Sequence, residues 1–233
     1  MILKSFRSKS TTGGRTRGKY LIMISHKHVI PYLFIHIPKN AGTTLCRYLE
    51  EYVEGEYCSK NWSEHKSLEE YAYLPENYFK FAVIRNPRSR VVSFYHYQKE
   101  QAKTWSDQDQ TLPCGKPRPL PWKESKERLI ERSFKQMVLE DLQETPSKNL
   151  GSNLYWITIN DQVKTDFIIR YENFQEDFEI VCGKLNIPSN ILGRLNTTRH
   201  AHYTTYYDDE TRRFVEKLYA DDIEYFGYKF GDD

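Results

Sequence analysis

The sequence is poor in several features that would settle a protein's class at once. It carries only 4 cysteines in 233 residues, Cys46, Cys58, Cys114 and Cys182, far apart and with no C-x-x-C pair. That pattern suggests neither a zinc site nor a dithiol redox motif and suits a reducing compartment. No run approaches the roughly 18 consecutive apolar residues of a membrane-spanning helix, and the apolar segment Tyr20–Ile24 is too short for the core of a secretion signal. A cytoplasmic protein is the expectation. Net charge is nearly absent as well: 34 Lys and Arg against 32 Asp and Glu leave +2. Wholesale wrapping by nucleic acid is therefore not expected, and any positive field must be local.

What is present is aromatic. Hydrophobic residues make up a modest 39%, but 18 Tyr and 12 Phe bring large buried areas per residue. A chain of this length can bury roughly 70% of its unfolded surface, so no disulfide or metal framework is required to hold it. The small charge excess is unevenly placed. Residues 1–30 read as a flexible N-terminal extension, with Lys4, Arg7, Lys9, Arg15, Arg17 and Lys19 and no acid in its first twenty positions. Such an arm suits weak peripheral contact with an anionic membrane or polysaccharide, and equally a solvated tail. Without it, the remaining chain is mildly acidic.

Residues 31–233 read as a single α/β domain. The apolar run Tyr32–Ile37 has the character of a strand buried on both faces of a parallel sheet. After Pro38 come Lys39-Asn40-Ala41-Gly42-Thr43-Thr44, then Leu45, Tyr48, Leu49 and Tyr52 at helical spacing. A second buried run, Phe79–Ile84, leads through Arg85-Asn86-Pro87 into a helix carrying Val91, Val92, Phe94 and Tyr95, with Pro87 suited to its first turn. A third strand over Phe167–Tyr171 precedes Phe174, Phe178, Val181 and Leu185 on one helical face. Strands alternating with helices predict a three-layer, P-loop-like fold whose central parallel sheet is flanked by helices. Periodicity is lost around 101–125, where Pro113, Pro117, Pro119 and Pro121 predict a long loop insertion. Leu129 to Leu142 predict one amphipathic helix, Asp209–Tyr219 a last helix, and Phe226-Gly227-Tyr228 a packed tail.

The two strand-to-helix loops carry the chemistry. A short loop opening onto a helix aims backbone N–H groups and the positive helix end at one point. In I-P-K-N-A-G-T-T, Gly42 permits close approach, Thr43 and Thr44 offer hydroxyls, and Lys39 brings a mobile charge. The order differs from G-x-x-x-x-G-K-[ST], because Lys39 precedes Gly42, and no acidic Mg²⁺ ligand stands at a strand end. A donor that needs no bridging metal fits best. In R-N-P-R-S-R-V-V-S-F-Y, Arg85 and Ser93 suit a second anion through charge-assisted hydrogen bonds. Two such loops at the carboxyl ends of neighbouring strands imply one ligand with two separated anionic groups.

These two segments, F-I-H-I-P-K-N-A-G-T-T-L and F-A-V-I-R-N-P-R-S-R-V-V-S-F-Y, closely resemble the cofactor motifs of carbohydrate sulfotransferases of the heparan sulfate 2-O and chondroitin 4-O type. The likeness extends over D-F-I-I-R-Y-E-N-F-Q-E-D-F and the C-terminal Y-Y-D-D-E-T-R-R-F-V. It implies 3′-phosphoadenosine 5′-phosphosulfate as donor, without metal. By the same resemblance Lys39, Asn40, Ala41, Gly42, Thr43 and Thr44 would hold the 5′-phosphosulfate and Arg85 and Ser93 the 3′-phosphate. Arg199 and Tyr203, in a segment that closes over the cofactor in the family, would add further contacts. The acceptor would be a hydroxyl of a carbohydrate or other glycosylated compound.

A base must take the hydroxyl proton, and histidine titrates in the right range. Of His26, His28, His36, His65, His96, His200 and His202, His36 reads as a packed strand residue and His96 as a surface or structural one. His65 stands where related enzymes carry a histidine thought to be the base and is the first choice, with His200 and His202 the alternative pair. Trp105, Trp122 and Trp156 read either as sugar platforms or as ordinary anchors. Outside sulfuryl transfer, the residues also admit an ATP-dependent small-molecule kinase with an atypical phosphate loop, or a non-catalytic nucleotide-binding module.

Overall fold

The computed structural model describes residues 30–52, 65–104, 122–142, 148–189 and 200–232. Apart from Ile30, the basic extension lies outside the described residues. Three strands, β1 (Tyr32–Ile35), β2 (Phe79–Ile84) and β5 (Phe167–Arg170), form a parallel sheet in the order β1-β2-β5. Tyr32 pairs with Phe79 and Ile35 with Ala82, while Phe81 pairs with Phe167 and Ile84 with Arg170. A hairpin of β3 (Thr158–Ile159) and β4 (Gln162–Val163) turns through Asn160 and Asp161, both at positive φ, as a two-residue hairpin turn demands.

Strand alternation sorts the core into two faces. Tyr32, Phe34, Phe81, Val83 and Ile169 pack against α1 (Gly42–Tyr52) and α6 (Phe174–Leu185), a layer that also buries the thiols of Cys46 and Cys182. Leu33, Ile35, Ala82, Ile84 and Ile168 point the other way, onto Trp156 and Ile157 of α5 (Asn153–Ile157) and Phe226 of α8 (Ala220–Phe226). The result is a three-layer α/β fold with a central parallel sheet flanked by helices. A further cluster joins α2 (Pro87–Lys103) to Phe134, Met137 and Val138 and to Val215 of α7 (Asp209–Leu218).

Three expectations change. The single helix across 129–142 is divided: α3 (Trp122–Glu131) stops, and Ser133 starts α4 (Phe134–Gln136) with a reciprocal capping box to Gln136 before a π-helical turn, Met137–Asp141. Apolar spacing survives such a break, so periodicity alone does not reveal it; a serine with glutamine three residues on is the local signal. The Pro-rich insertion is narrower than 101–125, because α2 runs to Lys103 and α3 begins at Trp122; residues 105–121 lie outside the described residues. Between the last predicted helix and the tail Phe226-Gly227-Tyr228, whose Phe226 and Tyr228 are buried as expected, stands a further helix, α8, which ends at Gly227 with φ 68°, the left-handed cap that glycine accommodates. Among the described residues no helix is long and apolar enough to cross a membrane.

Candidate active site

Between β1 and α1 the chain makes a turn that its residues do not favour on their own. Lys39 and Ala41 sit at φ 68° and 60°, left-handed conformations that cost a residue with a Cβ of order 1 kcal/mol or more. Asn40 between them anchors the turn: its side chain, 0% exposed, donates to the Val83 carbonyl at 2.8 Å and to Asn153 Oδ1 at 3.0 Å. Arg90 of α2 reaches the Pro38 carbonyl at 3.0 Å. So held, the loop presents Lys39, Ala41, Gly42, Thr43 and Thr44 to a cavity of about 1000 Å³. The Asn40 side chain is turned into the core and is not on that wall.

The second loop reaches the same cavity. Asn86 caps α2, accepting the Arg88 N–H at 3.1 Å, and its own N–H donates to Glu172 at 2.7 Å. Burial raises the Glu172 carboxyl above the ordinary range, opposed by that bond and by nearby Arg85 and Arg170. Arg85, 7% exposed, gives Nε and Nη2 to Ser89 Oγ at 3.0 and 2.8 Å and lies 4.0 Å over the Tyr171 ring. Ser93, one helical turn beyond Ser89, is on the wall as well. The Tyr203 ring borders the cavity, and its hydroxyl takes N–H groups of Asn86 and Gly231, tying the loop to the C-terminal segment. Arg199 lies outside the described residues.

The lysine is electrostatically primed. Burial, with Arg85 close by, lowers the Lys39 ammonium from its usual 10.5 to about 8, and the group rests 4.0 Å from the centroid of Tyr97. Attraction to the ring face favours the charged form. An arriving anion would favour it further.

Histidines border the lysine. His65 lines the cavity with Nδ1 at 3.1 Å from the His36 carbonyl. Carbonyls only accept, so Nδ1 carries a proton, and in the neutral ring the lone pair is on Nε2. His36 lies one residue past β1 and, besides packing, faces the cavity with its ring 4.6 Å from His65. Desolvation first, then His65 and Lys39, hold it down at about 3, so it is neutral. Its ring also explains Gly42: a Cβ there would stand 1.9 Å from His36 Cδ2. His200 and His202 border the cavity too, with His96 stacked on His200 at 4.7 Å. Trp156 is 0% exposed in the core behind His65, hence an anchor, not a platform, while the Trp105 and Trp122 side chains lie outside the described residues.

Sequence reasoning passed over Ser89, Tyr97 and Glu100, which with Ser93 mark one face of α2 along the cavity. Their spacing of four, four and three was the available signal. The site thus gathers two cationic centres, hydroxyls and imidazoles around one space of about 1000 Å³, at the large end of the roughly 300–1,000 Å³ usual for ligand pockets.

Comparison with known proteins agrees with this arrangement. The family model described as Sulfotransferase family, of the family 2 type, matches residues 20–229. No curated protein and no solved structure matches the chain. The match spans nearly the whole sequence and both loops, and the chain belongs to the sulfotransferase family.

Proposed function

We propose that this sulfotransferase moves a sulfuryl group from 3′-phosphoadenosine 5′-phosphosulfate to a hydroxyl of a carbohydrate or glycosylated acceptor. The observation that carries the reading is the convergence of the Lys39–Thr44 loop and the Arg85–Ser93 loop on one cavity that also holds His65. The first loop receives the 5′-phosphosulfate on the start of α1, where first-turn N–H groups have no intrahelical acceptor. Arg85, Ser89 and Ser93 receive the 3′-phosphate, each charge-assisted bond contributing about 1.5–3 kcal/mol. Asn40 shapes the loop from behind, and Tyr203 braces the second loop.

Transfer is in line. Nε2 of His65 takes the acceptor hydroxyl proton as the oxygen attacks sulfur, and the S–O bond to the 5′-phosphate breaks. Lys39 leaves the Tyr97 ring to follow the bridging oxygen, where negative charge grows. With a lysine in that position, no metal is assigned a role. The ring of His36, neutral above about pH 3, adds no competing charge.

Calorimetry with adenosine 3′,5′-bisphosphate and with Mg·ATP tests the donor. Binding of the bisphosphate in preference to ATP is the expected outcome; Mg²⁺-dependent ATP turnover would replace this reading with a kinase. Transfer of labelled sulfate to a panel of glycans tests the acceptor. Bisphosphate binding without transfer to any hydroxyl compound would leave a nucleotide-binding module.

A further inference from the structure

The two loops meet on one side chain that is not on the cavity wall. Asn153, the first residue of α5, is 0% exposed. Its Oδ1 accepts from Asn40 of the first loop at 3.0 Å, and its Nδ2 donates to the Arg85 carbonyl of the second at 3.0 Å. The partners stand 113 and 68 residues away in sequence. Asn153 is fixed in turn: its N–H and that of Leu154 donate to Asp222 of α8 at 2.6 and 2.9 Å. Arg90 secures the same segment, bonding Gly151 and Asn149 carbonyls at 2.6 and 2.9 Å as it holds Pro38.

Beyond the sheet the loops are linked through Asn153 and by Arg85 Nη1, which reaches the Lys39 carbonyl at 3.5 Å, while Asn40 also ties the first loop to the Val83 carbonyl of β2. The β1–β2 ladder ends at the pair Ile35 and Ala82, and both loops begin beyond it. A primary amide both donates and accepts, so it can take a hydrogen bond from Asn40 and give one to a carbonyl. Carboxylate in its place loses the donor; an alkyl group loses both.

We propose that Asn153 is a positioning residue that sets the spacing of the two loops, so that both anionic groups of one nucleotide are gripped together. The inference rests on the proposed donor. When two contacts share one rigid ligand, the second strengthens binding only if the spacing matches. Should the gap relax, each loop still holds a phosphate, but the pair no longer act on the same molecule.

The test compares 5′-AMP, 3′-AMP and adenosine 3′,5′-bisphosphate by calorimetry on the full chain and on its Asn153→Asp and Asn153→Ser variants, with Tm confirming the fold. In the unaltered protein the bisphosphate should bind at least about 100-fold tighter than either mononucleotide. In the variants that advantage should shrink at least about tenfold, while each mononucleotide stays within about twofold. If all three ligands weaken together, or the advantage persists in folded variants, the spacing role is wrong. Should Asn153→Asp fail to fold, Asn153→Ser decides by the same ratio. An unaltered protein with no bisphosphate advantage would instead overturn the proposed donor, and the spacing role with it.

Discussion

The two loops that line the cavity are built on opposite plans. The first, from Pro38 to Ala41, is a backbone device. It holds two residues at positive φ, braced from the core by Asn40 and Arg90, and its charge sits on a lysine that burial brings to about 8 and that rests on Tyr97. The second is a side-chain device. Arg85 is pinned by Ser89 and by the Tyr171 ring, and Asn86 is tied to Glu172 and the C-terminal segment. A movable cation on a fixed backbone suits charge that develops during reaction, whereas a fixed cation suits charge that is already there. On the proposed mechanism, the first loop would catalyse and the second would hold.

The sharpest way to break that contrast is to remove each cation and compare kcat with KM. Lys39→Met should lower kcat by about 10²–10³ with a smaller effect on donor KM, as loss of one transition-state donor does. Replacing His65 by Ala should cost about 10²–10⁴ in kcat, and near-normal turnover would retire it in favour of His200 or His202. Arg85→Ala should act mainly on donor affinity, weakening the bisphosphate about 10- to 100-fold if one charge-assisted bond is lost. Steady-state kinetics that put the large kcat loss on Arg85 and the affinity loss on Lys39 would reverse the assignment.

The glycine of the first loop offers a second test, read in stability. Gly42→Ala places a Cβ 1.9 Å from the His36 ring and should cost about 1–3 kcal/mol in denaturant unfolding. Much of that cost should vanish in a His36→Ala background. A Gly42→Ala protein that stays destabilised without the ring would mean that glycine is required by the backbone itself.

How much of this was readable in the residues follows from the range of the interactions. Strands at Phe79–Ile84 and Phe167–Arg170 and the helix start at Pro87 are local matters of apolar runs, proline and capping, and they were legible, whereas α1 begins at Gly42, inside the stretch read as loop. So was the resemblance carried by Lys39 to Thr44 and Arg85 to Ser93. The break at Ser133 and the helix Ala220–Phe226 were hidden because apolar spacing continues across a cap. Long-range roles were hidden more deeply. Asn40 reads as a ligand contact from its place in the motif, yet its amide serves Val83 and Asn153. For Asn153 and Arg90 nothing nearby in sequence signals that their partners lie in the loops. Gly42 was legible as a close approach, but the partner is the imidazole of His36, one residue past the end of β1, where the motif suggested the ligand.

The smallest expected effect uses pH to separate the movable cation from the fixed one. Lys39 titrates at about 8 in the unliganded fold, against 10.5 ordinarily. Between those values the folded chain binds fewer protons than the unfolded one. The cost of the buried ammonium is thus full below about 8 and is relieved as pH rises, so this residue's contribution to stability grows with pH. Binding of the bisphosphate runs the other way. Two anionic groups favour the ammonium, so above about pH 8 complex formation takes up a proton, and affinity should fall about tenfold per pH unit until the bound-state value is reached. Calorimetry at pH 9 in two buffers of different ionisation enthalpy should report that proton uptake. Lys39→Met should remove both the proton and the slope, while Arg85, a guanidinium charged throughout this range, has no comparable signature. An affinity that is flat from pH 7.5 to 9.5, or a slope that survives in Lys39→Met, would show that the first loop grips its anion without its lysine and would erase the difference between the two loops.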